Sequence, residues 1–110
     1  MALITTDEAK EYLRIDSDDE DATIGILLNS AEKICIGVAR FTDEQWEQID
    51  SDAEKTDDYT EAQLKTIRQT MKTAILYALA YLFEHREDAD HNMMLLTLRA
   101  LLFELREGVI

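Results

Sequence analysis

Four stretches of the chain repeat apolar residues at three- and four-residue steps, the spacing that places them on one face of an α-helix. The first is short and places Ala9, Tyr12 and Leu13 on its inner face, and the others cover about 19–38, 60–86 and about 91–106. The third stretch has about 26 residues and would span roughly 39 Å as a helix. We therefore predict a small bundle of about four helices, built around one long central helix.

Short polar residues precede three of these stretches, where they can cap the first turn of a helix. Thr60 opens a capping box three residues before a glutamine, and either Thr5 or Thr6 can cap the first helix. For the second helix the candidate caps are Asp16 and Ser17. These residues fix the predicted helix starts more closely than the apolar pattern does.

Residues 40–59, between the second and third helices, are mostly polar. Trp46 is one of only three large apolar side chains there, and 43–49 is expected to form a helical turn. A connection of this length in a small domain is typically mobile or functional. We predict a mobile loop that contacts another chain through Trp46.

The fourth stretch is apolar on more than one face, so its side chains cannot all enter one small core. It is followed by a short tail, 107–110, that ends on the apolar pair Val109 and Ile110. We predict that this helix and the tail contact another subunit, through Leu102, Phe103, Leu105, Arg106, Val109 and Ile110.

Composition agrees with a single all-α domain spanning residues 1–110. The chain has no proline and only three glycines, too few for the many turns of a β protein. Its single cysteine, Cys35, lies in an apolar stretch and is expected to be a small buried hydrophobe. We expect no signal peptide and no membrane span, because the first residues lack a basic and apolar leader and the apolar runs are short.

The formal net charge is −13. Sequence-independent binding to DNA phosphates requires a basic surface, so this charge argues against it. An acidic surface is compatible with DNA that passes without binding. Synthesis in the cytoplasm of a host cell is expected.

Three short motifs occur in order along the chain. Tyr-Leu-Arg-Ile-Asp at 12–16 leads into an acidic turn, Tyr-Leu-Phe-Glu-His-Arg-Glu at 81–87 ends the long helix, and Leu-Leu-Phe-Glu-Leu-Arg at 101–106 lies near the C-terminus. In this order and spacing they resemble the head–tail connector proteins of tailed bacteriophages. His85 stands where that family usually has asparagine.

The resemblance implies a structural protein without enzymatic activity or cofactors. Such connectors form a ring, commonly twelvefold, under the phage portal protein in the virion. The ring extends the DNA channel and docks the next head-completion or tail protein. The residues expected at contacts with other subunits or the portal are Arg14, Asp16, Trp46, Glu84, Arg86, Leu102, Phe103, Leu105, Arg106, Val109 and Ile110.

Two other functions are compatible with the composition. An acidic DNA mimic would inhibit a host DNA-binding protein, but it needs carboxylates spaced along one face, whereas here they crowd into 16–21, 50–58 and 87–90. A small all-α magnesium-dependent nucleotide pyrophosphatase would use Glu-x-x-Glu pairs on two packed helices. The pairs found here lie in the polar loop or overlap at a helix end.

The sequence matches the known patterns of metal-binding residues poorly. Asp16, Asp18 and Glu20 imitate the start of a calcium-binding loop, but Asp21 occupies the position of the required glycine. The group near 85–91 matches no standard ligand spacing. We therefore assign no catalytic, cofactor or metal-binding residues.

Overall fold

The computed structural model describes residues 3–85 and 91–106, and helices account for 73% of them without a strand. The predicted all-α class is therefore confirmed. The described residues form six helices instead of about four: α1 Thr6–Leu13, α2 Asp21–Ala39, α3 Asp43–Ile49, α4 Glu61–Glu84, α5 Asn92–Leu101 and α6 Phe103–Arg106. The helical turn expected at 43–49 is α3, and the last predicted helix is divided at Leu102.

Threonine capping boxes begin three of the helices. Thr5 accepts a hydrogen bond from the backbone N–H of Glu8 at the start of α1, and Thr60 accepts one from that of Gln63 at the start of α4. Both starts were predicted. Thr42 forms the same arrangement ahead of α3. In each box a side chain satisfies an N–H group that the helix itself leaves unpaired.

The predicted cap of α2 is wrong. Neither Asp16 nor Ser17 occupies the cap position, which belongs to Glu20 and has no side-chain hydrogen bond to the helix. The Lys10 ammonium instead lies 2.6 Å from a carboxylate oxygen of Asp18 and 2.9 Å from one of Asp21. This pairing from α1 fixes the turn that leads into α2.

The core lies mainly between α2 and α4, which form the most extensive helix pair, and α1, α3, α5 and α6 cover its sides. On α2 the buried residues recur every three or four positions, and on α4 they recur along its whole length. The largest fully buried side chains are Ile24, Ile49, Leu64, Met71, Ile75, Leu79, Met94, Leu98 and Leu102. Among the described residues, no charged or polar residue is buried.

Two arginines end helices in the left-handed backbone region that favours glycine. Arg14 has φ 60° after α1, and Arg40 has φ 61° after α2. At each end the next residue closes the helix: Ile15 N–H donates to the Lys10 carbonyl, and Phe41 N–H donates to the Ile36 carbonyl. Gly37 lies inside α2, which continues to Ala39.

Contacts give residues 40–59 a defined path beside α4. Arg68 on α4 donates hydrogen bonds to the backbone carbonyls of Ile49 and Ser51, at 2.8 and 2.9 Å. The Gln48 amide donates to the Asp58 carboxylate at 2.6 Å. The mobility that we predicted for this segment remains a prediction, since hydrogen bonds in one structure do not measure motion.

Within the described ranges, α2 is the one helix with the length and apolar character of a membrane span, with a mean hydropathy of 1.4. One such helix is weak evidence for a membrane span, because the core helix of a protein outside a membrane can have the same length and apolar character. Here α2 contacts α1, α4, α5 and α6.

Cys35 is fully buried, as predicted, and burial raises the pKa of its thiol from 9.0 to about 12. We expect the folded protein to react very slowly with a thiol reagent at mildly alkaline pH, because the reactive thiolate is scarce and covered. Reaction should become fast in urea. Rapid labelling of the folded protein would contradict this burial.

Candidate interaction surface

The helices α5 and α6 present a row of large apolar side chains to solvent. Met93, Leu96 and Phe103 are 67%, 56% and 55% exposed, and the small Ala100 lies on the same face. We call these four residues the apolar stripe. At 100° per residue, their positions fall on the side of the helix opposite Met94, Leu98, Leu102 and Leu105, which are buried.

The break at Leu102 preserves this division between two faces. Leu102 N–H still donates to the Leu98 carbonyl, and Arg106 N–H donates to that of Leu102, both at 2.9 Å. Leu105 on α6 therefore continues the buried face of α5. The prediction that this part of the chain is apolar on more than one face is confirmed.

A cleft of about 370 Å³ lies between the C-terminal half of α2 and the helices α5 and α6. Its charged lining residues are Lys33, Arg40, Arg99 and Arg106, with no carboxylate among the lining residues. We call it the cationic cleft. Its floor includes Ile34, Val38 and Leu95. A neighbouring cavity of about 270 Å³ shares Arg40 and Arg106 and includes one acid, Glu104.

The cations of this cleft lack counter-ions within the described part of the chain, where the ion pairs involve Lys10 and Lys72. The Nε of Arg106 is buried and has no hydrogen-bond partner there. Arg40 is held at a positive φ, where an arginine costs about 1 kcal/mol more than a glycine. Among the described residues, this cleft therefore gathers four cations that form no ion pair, in a strongly acidic protein.

Sequence reasoning missed this cleft, although a signal was present. Lys33 lies on α2 and Arg40, seven residues later, directly follows this helix, while Arg99 and Arg106 are seven apart on the last two helices. Residues seven apart lie on nearly the same side of a helix. Each pair could have been recognised as a basic ridge, but only the packing of α2 against α5 and α6 brings the two ridges together.

Several residues that we predicted at an interface are in positions to make one. Arg14, Asp16, Glu84 and Phe103 are exposed, and Arg106 is half-buried in the cationic cleft. Arg14 and Asp16 lie beyond the end of α1, away from the cleft along α2. The structure thus brings together only the C-terminal members of the predicted set.

Two members of that set, Leu102 and Leu105, are 0% and 7% exposed and belong to the protomer's own core. Their side chains are covered by the packing of α5 and α6 against the other helices, so we leave them out of the candidate surface. Phe103, also a member of the predicted set, is exposed and stays in the candidate surface. Arg86, Val109 and Ile110 lie outside the described residues, as does the predicted tail 107–110.

Trp46 is half-buried and is engaged within the chain. Its ring lies 6.5 Å from that of Phe41, and its side chain shares a hydrogen bond with Glu32. Burial, together with the nearby charge of Asp50, raises the pKa of Glu32, and the bond from Trp46 opposes this rise. Burial likewise raises the pKa of Asp50. Trp46 therefore makes contacts within its own chain, and its contact with another chain remains a prediction.

The described residues contain no group of three or more His, Cys, Asp or Glu side chains that could hold a metal ion. In the imitated calcium loop, Asp18 is paired with Lys10. Of the pyrophosphatase-like pairs, Glu44 and Glu47 lie on the short α3, while Glu54 and Asp57 lie in the loop after it. The described residues place an apolar stripe beside a cationic cleft.

Comparison of the chain with protein-family models, with curated proteins and with solved structures found no match.

Proposed function

We propose that this chain is a structural subunit of the head–tail connector of a tailed bacteriophage. In this proposal it is a bundle of about four main helices around one long central helix, α4, and it assembles into a ring under the portal protein. The observation that carries the proposal is the apolar stripe of α5 and α6. The resemblance of the three sequence motifs, in their order along the chain, is the reason for proposing a head–tail connector as the assembly.

The stripe requires a partner for a physical reason. Charged residues make up 32% of the chain, yet three large apolar side chains share one exposed face of the last helices. Contiguous exposed apolar residues typically mark contacts with other proteins, and the centres of such contacts are poor in charge. Burying the stripe against a neighbour would offset the repulsion between subunits that each carry a net charge of −13.

The ring would extend the DNA channel below the portal and offer a platform to the next head-completion or tail protein. An acidic wall suits that position, because DNA phosphates would be repelled from it and the genome could pass at ejection. Under this proposal the protein has no enzymatic activity, requires no cofactor, and is located in the virion after assembly in the host cytoplasm.

The test is size-exclusion chromatography with light scattering, with and without the purified portal protein of the same phage. We expect the chain to join the portal as a complex with several copies per portal. A chain that stays monomeric and never joins the portal would contradict the proposal. Strong inhibition of a DNA-binding enzyme would favour the acidic mimic instead.

Replacing Leu96 by lysine should weaken association with the portal or with other subunits about 10-fold, because it places a charge in the centre of the stripe. Leu96 is 56% exposed on a helix, so the free energy of unfolding should change by less than about 0.5 kcal/mol. The matched control is Gln69→Lys, which adds the same charge on the exposed side of α4. Equal association of the two variants would show that the stripe is not an interface.

A further inference from the structure

We propose that the cationic cleft binds the acidic turn, residues 16–21, of a second copy of this chain. The inference rests on the proposed function, because it names the contact by which neighbouring subunits of the ring would recognise each other. The ligand is thus a group of carboxylates on a folded turn, bound by Lys33, Arg40, Arg99 and Arg106.

Charge makes the cleft the natural place for another copy to dock. The chain has 11 Lys and Arg residues against 24 Asp and Glu, and four of those cations line this one cleft without an acid among them. Most other faces of the molecule would repel an approaching copy. Complementary charge at one place fixes the register and orientation of association when the rest of the surface is repulsive.

Two features restrict the positions of arginines in the cleft. The backbone of Arg40 is fixed by the closing hydrogen bonds at the end of α2, and the Arg106 Nε is already removed from solvent without a partner among the described residues. Charge-assisted hydrogen bonds between guanidinium and carboxylate are stronger than neutral ones, and they select for planar acidic groups.

The acidic turn is correspondingly preformed. Lys10 holds Asp18 and Asp21, which sets the course of the chain between α1 and α2. Asp16 and Asp19 are exposed and form no ion pair within the described part of the protein. Their carboxylates can therefore reach a partner without rearrangement of the turn, which limits the entropy lost on docking.

The two surfaces cannot meet within one molecule. The acidic turn adjoins the first residue of α2, whereas Lys33 and Arg40 lie near the other end of this 19-residue helix. At 1.5 Å per residue, Asp21 and Lys33 are separated by about 18 Å along the helix axis. Contact between them must therefore join two copies, and a contact between different surfaces of identical subunits propagates into a ring or a filament.

The apolar stripe adjoins the cleft, since Arg99 and Phe103 are four residues apart. Docking of the turn in the cleft would bring the neighbouring copy against the stripe. The contact would then combine an apolar patch with ion pairs at its side, the usual composition of a specific protein interface.

The test exchanges the charges of the two surfaces. One variant carries Lys33→Glu and Arg99→Glu in the cleft, and the other carries Asp16→Lys and Asp19→Lys in the turn. The control, Lys55→Glu with Lys65→Glu, makes the same change of net charge as the cleft variant, at exposed sites outside the cleft. Association is measured by sedimentation at physiological salt, where screening beyond about 8 Å suppresses general repulsion but preserves contact pairs.

Wild type and the control should self-associate with rising concentration. Each exchanged variant alone should associate about 30-fold more weakly, because like charges then face each other. An equal mixture of the two variants should recover association, since each acidic surface again finds a basic one. Circular dichroism of each variant verifies that it is folded.

Three outcomes would overturn the inference: a wild type that stays monomeric, exchanged variants that associate like the control, or a mixture that fails to recover. Labelled duplex DNA that binds the wild type but not the cleft variant, with self-association unchanged, would assign the cleft to nucleic acid instead. Each of these leaves the proposed function standing if the portal still captures the chain. Failure of portal capture, with recovery in the mixture, would contradict the proposed function alone.

Discussion

Replacing Leu98 by alanine is expected to lower the free energy of unfolding by about 3 kcal/mol, the range found for leucine-to-alanine changes in protein cores. Leu98 is fully buried on α5, whose inner face packs against α2 and α4. The loss combines the apolar surface no longer removed from water with the cavity that a neighbouring helix cannot fill. Urea unfolding followed by circular dichroism measures the change.

The control is Leu96→Ala, two residues earlier on the same helix. Leu96 is 56% exposed, so the same chemical change should cost less than about 0.5 kcal/mol. Similar losses for both variants would mean that α5 does not present its two faces as described. A loss confined to Leu98 would leave Leu96 free for contact with another protein.

The sequence predicted the fold best where the signal is local. Thr60 with Gln63 marked the start of α4, and the start of α1 was predicted as either Thr5 or Thr6, because a cap needs only side chains close together in the sequence. The apolar period likewise located α2 and α4 to within about two residues. These features depend on neighbours along the chain, which the sequence displays directly.

Features that depend on packing were missed. Asp16 and Ser17 have side chains suitable for a cap. In the structure, Lys10 of α1 pairs with Asp18 and Asp21, and α2 begins after Glu20 instead. The break at Leu102 has no glycine or proline to announce it. The cationic cleft required two basic ridges, on α2 and on α5 and α6, to be known as neighbours.

The members of the candidate interface also depend on packing, so the sequence indicated that a second apolar face exists but not all the residues on it. An excess of apolar residues in 91–106 indicated a second apolar face, but the sequence did not show which residues belong to it. The helical period alone does not say which face turns inward, and the interruption at Leu102 complicates the count. Packing assigns Leu102 and Leu105 to the core and Phe103 to the surface.

Replacing Arg68 by methionine is expected to lower the free energy of unfolding by about 2–3 kcal/mol, because hydrogen bonds from a charged group are lost and carbonyls lose their donor. The Arg68 guanidinium donates to the carbonyls of Ile49 and Ser51 and, at 3.4 Å, to that of Gln48. These carbonyls belong to the end of α3 and the residues after it, where a helix leaves acceptors unpaired. Nothing in the sequence marks Arg68 for this role.

The effect of Arg68→Met should be largest on α3, because the guanidinium joins that helix to α4. Trp46, the single tryptophan of the chain, lies on α3, so its fluorescence should change at a lower urea concentration than the circular dichroism of α2 and α4. Arg68→Lys should recover only part of the loss, since an ammonium cannot reproduce the planar fork of donors. Lys65→Met, which removes an exposed cation from the same helix, should cost less than about 0.5 kcal/mol. If Arg68→Met resembled Lys65→Met in both signals, the path of residues 40–59 would be held by something other than this arginine.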